Sequence, residues 1–162
     1  MNFAAIAQML FLLAVANGAP VLAKRLIGER FAWPVDGHSR FSDGRSIFGS
    51  SKTFRGLATS LLATVAAAEL IGLSGGDGAL IATLAMLGDL LSSFIKRRRG
   101  AAPSDQMLGL DQIPEALLPA LFAPPAITLS FADVVAVVGL FFVAELAGSR
   151  LLYALNIKDR PY

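Results

Sequence analysis

Cysteine is absent from this chain, and histidine occurs only once, as His38. The first absence excludes disulfides and thiolate metal sites. The second leaves a lone loop imidazole, which ordinarily is solvated or locally hydrogen bonded rather than catalytic. Bases are also missing from three long stretches. No Lys or Arg precedes Lys24, none lies between Arg55 and Lys96, and none lies between Arg99 and Arg150. The 14 bases therefore fall in three blocks, Lys24 to Arg55, Lys96 to Arg99 and Arg150 to Arg160. Nucleic acid is excluded as a partner, because these blocks adjoin apolar runs and lack interleaved stacking aromatics.

What fills the base-free stretches is apolar. At 162 residues and 55% hydrophobic, the chain is too apolar for an ordinary soluble domain. Two short interruptions, around Gly75-Gly76-Asp77-Gly78 and Ser130 to Asp133, carry acids and no bases. Bases gathered on one side and missing from the other make the positive-inside pattern. The expected fold is all-α, an integral membrane protein with five transmembrane helices: Phe3 to Leu22, Leu57 to Leu73, Ala79 to Ile95, Ile113 to Leu129 and Phe131 to Leu152. An odd number of spans puts the N-terminus outside and the C-terminus in the cytoplasm.

Residues 1–162 then form one transmembrane domain in the cell membrane, with residues 24–56 as a cytoplasmic loop. The run Phe3 to Val15 has its bases after it rather than before it, the reverse of a signal peptide, so it stays as a span. Ser74 to Gly78 is expected to be an outer turn. Asn17 and Pro20 are expected to break the first helix at the inner surface, and Pro114, Pro119, Pro124 and Pro125 to interrupt the fourth.

The 24–56 loop concentrates groups suited to a polyphosphate. Gly37, Gly44, Gly49 and Gly56 permit tight turns and close backbone approach, while Arg45, Lys52 and Arg55 supply cations for phosphate oxygens. A solvated basic loop holding anionic headgroups is the plainer alternative. On the third span, Asp89, Ser93 and Lys96 share one helix face, since successive residues turn by about 100°. A carboxylate within a span faces the protein interior and takes a partner, either a base or a metal ion bridging to phosphate. Asp111 opens the fourth span from the same side and offers a second hard oxygen ligand, with Asp105 as the alternative. Glu69 and Glu145 are further acids within spans; Glu145 has Arg150 as a candidate partner.

Several segments occur in an order that resembles one family. They are Asn17-Gly18-Ala19-Pro20, Pro34-Val35-Asp36-Gly37, Asp43-Gly44-Arg45, Ile47-Phe48-Gly49, Lys52-Thr53-Phe54-Arg55-Gly56, Gly88-Asp89, Ser92-Ser93-Phe94-Ile95-Lys96-Arg97-Arg98 and Asp111-Gln112. Together they are similar to the CDP-archaeol synthase family, relatives of the phosphatidate cytidylyltransferases. The resemblance implies a five-span enzyme that uses CTP and Mg²⁺ to activate a lipid phosphate, giving a CDP-lipid and pyrophosphate. It implies Asp89 and Asp111 as metal ligands and Lys52, Arg55, Lys96 and Arg97 as catalytic phosphate binders. It also implies a nucleotide loop built from Asp36, Gly37, Asp43, Gly44, Arg45, Gly49, Lys52 and Thr53. Two positions depart from the pattern: Ile113-Pro114 stands where the family often has Leu-Asp, and His38 where it has a second Gly.

Two other classes account for part of the pattern. A small transporter or anionic-lipid scaffold explains spans and inner charge, but not Gly, Asp and Lys grouped at several helix ends. A CDP-alcohol phosphotransferase shares Asp-Gly elements, but Asp43-Gly44-Arg45 lacks that family's full pattern.

Overall fold

The computed structural model describes residues 1–103 and 105–155, apart from the Leu152 side chain. Lys158 and Arg160 of the last basic block lie outside the described residues. Five helices follow in order: α1 (Phe3–Ile27), α2 (Phe54–Leu70), α3 (Gly75–Arg98), α4 (Gln112–Leu121) and α5 (Phe131–Ala154). The expected all-α class is observed, with only two isolated antiparallel bridges among the described residues, Pro34 with Thr53 and Arg40 with Ser46. Three helices, α1, α3 and α5, are long and apolar enough to cross a membrane.

The remaining two differ from the expected spans for local reasons. Helix α2 is 17 residues long, at the lower limit for a crossing. Helix α4 has only 10 residues, about 15 Å, because Pro124 and Pro125 have no N–H to continue it past Phe122. The expected break at Asn17 and Pro20 does not occur. Helix α1 runs through Pro20 to Ile27, and Asn17 Nδ2 donates to the Leu13 carbonyl at 3.1 Å. The turn expected at Ser74 to Gly78 is also displaced. Ser74 and Asp77 form a capping box, so Gly75 to Gly78 make the first turn of α3 and the reversal lies just before it.

Neighbouring helices pack in sequence, α1 on α2, α2 on α3, α3 on α4 and α4 on α5, with α1 also touching α3 and α5. Their contacts are rich in small residues. Ala16, Ala68, Ala82, Ala85 and Ala116 are fully buried around Met9, Leu12, Leu13, Ile81 and Val137. Small side chains let helix backbones approach closely, the packing mode available where apolar surroundings supply no hydrophobic drive. Large apolar residues face outward instead, including Leu62, Leu70, Leu91 and Val143. Such a surface suits a bilayer and is a liability in water.

One end of the bundle gathers the end of α1, the start of α2, the end of α3 and the start of α4. This basic end is covered by the loop between α1 and α2. Val35 N donates to the Lys52 carbonyl at 2.8 Å and Phe54 N to the Trp33 carbonyl at 3.0 Å, so the loop leaves and returns as a ribbon. That ribbon fixes Lys52 against the helix ends.

Candidate active site

Two ion pairs lie at the centre of the basic end. Lys52 Nζ is 2.5 Å from Asp89 Oδ1, joining the loop to α3. Lys96 Nζ is 2.6 Å from Asp111 Oδ1 and also donates to the Asp105 carbonyl at 2.8 Å, joining α3 to the approach to α4. The face shared by Asp89, Ser93 and Lys96 is therefore the one turned inward: Ser93 and Lys96 are buried and Asp89 is half-buried. Burial alone would lower the Lys52 ammonium, but the facing Asp89 and Glu115 carboxylates outweigh it and hold the group above its ordinary value.

Glu115 is the residue that the sequence analysis missed. It is buried in the first turn of α4, with its carboxyl facing that of Asp89. The signal was available as an acid set among apolar residues between Pro114 and Pro119. It is placed there by a close helix contact. Gly88 lies directly against the backbone of Pro114 and Glu115, leaving no room for a Cβ, so the first turn of α4 passes beside the part of α3 that carries Asp89.

The loop is organised by Asp36 rather than left open around it. One carboxylate oxygen accepts from Gly49 N at 2.9 Å and Phe48 N at 3.0 Å, the other from His38 N at 3.1 Å. Burial alone would raise this carboxyl; the three N–H donors outweigh it and hold it below the usual range. His38 takes φ +64°, a backbone region where a glycine is unstrained. Asp43 accepts from Arg45 N at 3.0 Å and from Arg98 Nη1 at 2.5 Å, tying the loop tip to α3. Gly37 and Gly44 are turn residues with positive φ.

Arg97 differs from the other arginines. It is 4% exposed, its Nη2 donates to the Ala102 carbonyl at 2.8 Å, and its Nε and Nη1 have no acceptor. Nη1 would stand 3.3 Å from a Cβ at position 49, so Gly49, with φ +94°, lets the loop backbone pass directly over the guanidinium. A cavity of about 520 Å³ opens here, lined by Asp36, His38, Arg40, Gly44, Arg45, Gly49 and Arg97 among others. Buried cationic donors without acceptors beside a polar cavity favour an anion.

Other basic residues are committed elsewhere. Arg45 lines the cavity but donates to the carbonyls of Arg98 at 2.5 Å and Arg97 at 3.4 Å, closing the C-terminal end of α3. Arg98 answers by bonding to Ser46 O and packing over the rings of Phe41 and Phe94. Arg55 donates to the carbonyls of Gly28 and Arg30, and Thr53 caps α2 by accepting from Gly56 N. The structure thus brings together Lys52, Asp89, Lys96, Asp111 and Arg97, with Asp36, Gly49 and Arg45 beside them. It sets Arg55 and Thr53 to structural bonds.

Comparison with known proteins places this geometry in context. The family described as CarS-like, CDP-archaeol synthase, matches residues 76–162. The chain is similar to the CDP-archaeol synthase of Hyperthermus butylicus, at 39% identity over 84% of each chain. It is similar to that of Pyrobaculum calidifontis, at 36% identity over 91% of each. A solved structure described as an intramembrane enzyme for archaeal membrane lipid biosynthesis superimposes with a TM-score of 0.68 at 28% identity, over 87% of this chain and 90% of that one.

Proposed function

Because the chain belongs to the CDP-archaeol synthase family, we propose that the centre built on Lys52, Asp89, Lys96, Asp111 and Arg97 carries its reaction. The activity is that of a CTP-dependent cytidylyltransferase, which moves CMP from CTP to a membrane lipid phosphate. An oxygen of the lipid phosphate forms a bond to the α-phosphorus of CTP as the bond to the β-phosphate oxygen breaks, and pyrophosphate leaves. The relatives' name points to an archaeol-type lipid as the acceptor.

The observation that carries the assignment is Arg97, buried with two donor atoms unmatched at a cavity that Asp36, Arg45 and Gly49 also line. Arg97 binds and orients the nucleotide's phosphates there. Lys52 and Lys96 move partly from their carboxylates toward phosphate oxygens and neutralise charge on the departing pyrophosphate. No side-chain nucleophile is required, because positioning and electrostatic stabilisation account for most of phosphoryl-transfer catalysis. Asp36 keeps the loop closed over the site through its three backbone bonds.

The donor set fits Mg²⁺. Among the described residues no three acids or histidines gather as a ready metal cage. Mg²⁺ needs none, since one or two carboxylates plus substrate phosphates are its usual holding. Asp89 and Asp111 would hold it, with Glu115 beside Asp89 as the orienting group. When bound it supplies Lewis-acid polarisation of the phosphates.

In the membrane placement that supports this chemistry, the N-terminus is outside and the basic end lies in the cytoplasm, where CTP is available; the Asn2 N bond to Asp133 Oδ1 sets the starts of α1 and α5 at one end, so the short α4 and residues 122–130 together make the fourth passage. The bases at the ends of α1 and α3, in the α1–α2 loop and at Arg150 of α5 support that orientation. Supplying the pure protein with labelled CTP and an archaeol-type phosphate tests the whole reading. CDP-lipid and pyrophosphate should appear in equal amounts. Lipid binding without pyrophosphate release under any divalent metal would contradict it.

A further inference from the structure

The loop that covers the site has a second surface, which the reaction does not use. At the end of α1, residues 28–33 make a tight turn that carries Phe31, 62% exposed, and Trp33, 69% exposed. Their rings meet edge to face at 6.1 Å. Exposed aromatics on a slack loop would mean little, but this turn is held. Arg55 Nη1 bonds to the carbonyls of both Gly28 and Arg30, and Phe31 sits at φ +58°, a region that bulky residues rarely occupy. The backbone is constrained in a way that keeps both rings outside the fold.

The surroundings identify what the rings meet. Leu22 and Leu26, four residues apart on α1, are 51% and 83% exposed and continue the apolar face of a helix suited to crossing a membrane. Phe54, 54% exposed, opens α2 beside Trp33, whose carbonyl accepts from its N–H. Arg25 and Arg30, which precede the aromatic pair, are both exposed. An apolar body, amphipathic indole and flanking cations match the boundary between acyl chains and anionic headgroups.

We propose that residues 28–33 form an interfacial wedge, which seats Phe31 and Trp33 in the headgroup boundary of an anionic leaflet while residues 34–53 stay over the nucleotide site. The loop between α1 and α2 is thereby divided into a membrane-seated part and an aqueous part. Arg55 is the clamp between them. The wedge rests on the reading that the long helices lie in the membrane, and the test separates the two.

Trp33 is the single tryptophan of the chain, so its fluorescence reports this turn alone. The full-length protein is reconstituted into phosphatidylcholine–phosphatidylglycerol vesicles whose acyl chains are brominated either near the headgroup or near the bilayer centre. Trp33 emission should be blue-shifted, protected from aqueous acrylamide, and lose more intensity to the shallow bromines than to the deep ones. A Trp33→Phe, Leu87→Trp variant places the probe midway along α3, where deep bromines should quench best. Water-like Trp33 emission that ignores both bromines, with position 87 quenched, overturns the wedge alone. Absence of quenching at both positions overturns the wedge and the spanning reading together. A blue shift that disappears when protein is diluted at fixed lipid assigns the surface to a second copy of the chain and also overturns the proposal.

Discussion

Gly88 of α3 lies so close to Pro114 of α4 that a Cβ at position 88 would stand 2.3 Å from the Pro114 carbonyl oxygen. This contact seats Glu115 beside Asp89 and brings the start of α4 to the site. Gly88→Ala must force the two helices apart, at a cost of about 1–3 kcal/mol for overpacking a tight interface. Thermal unfolding in detergent should fall accordingly, and turnover should fall further than the stability loss explains. Unchanged turnover would show that the register of α3 and α4 does not set the site.

Lys52 and Glu115 make opposing demands on Asp89. Lys52→Ala leaves the Asp89 and Glu115 carboxyls facing each other without the ammonium, and should weaken CTP binding and turnover while sparing lipid affinity. Adding Glu115→Gln removes one of the two acids and gives Asp89 an amide donor to face. The double variant should therefore recover stability relative to Lys52→Ala alone, a non-additivity readable in a double-mutant cycle as about 0.5–3 kcal/mol. Additive losses would mean that the three side chains act independently.

Asp36 gives the loop a pH signature. Its carboxyl is held below the usual range by the N–H groups of Gly49, Phe48 and His38, which outweigh burial. A depressed folded value means that the stabilisation is present above the unfolded value of about 3.9 and is lost as pH falls through the folded one. The Phe48 and Gly49 amides should stay protected from hydrogen exchange down to about pH 4 and lose protection only below it. Asp36→Asn should lose that protection at neutral pH, because an amide cannot accept equally from both sides.

Much of this arrangement was legible in the sequence, and the exceptions have specific causes. The long apolar runs and the grouping of bases mark α1, α3 and α5, and the spacing of Asp89, Ser93 and Lys96 marks the inward face of α3. Gly75 to Gly78 look like a turn by composition, but the Ser74–Asp77 capping box outweighs glycine's low propensity and starts the helix there. Arg45, Arg55 and Arg97 are equivalent as sequence; only the fold shows that all three bond to backbone carbonyls and that Arg97 differs in leaving a buried terminal guanidinium nitrogen, Nη1, unmatched. Glu115 escaped notice because its partner, Asp89, is distant in sequence and is reached through the Gly88 contact.

Orientation has its own test, made simple by the absence of cysteine. Gly76 and Ser50 are both exposed, at opposite ends of the bundle. A cysteine replacing Gly76 should react with an impermeant thiol reagent added to intact cells, and one replacing Ser50 only after permeabilisation. The reverse labelling would place the site in the wrong compartment for CTP.

The central claim is that Asp89 acts in the transfer of CMP rather than only pairing with Lys52. Single-turnover pyrophosphate release by well-folded Asp89→Asn, with Mg²⁺ and CTP titrated separately, tests it most directly. The account predicts a loss of at least about 100-fold, the scale of removing a few kcal/mol of transition-state stabilisation, with a comparable loss for Asp111→Asn. Near-normal release by Asp89→Asn would contradict it and leave that carboxylate as a structural partner of Lys52.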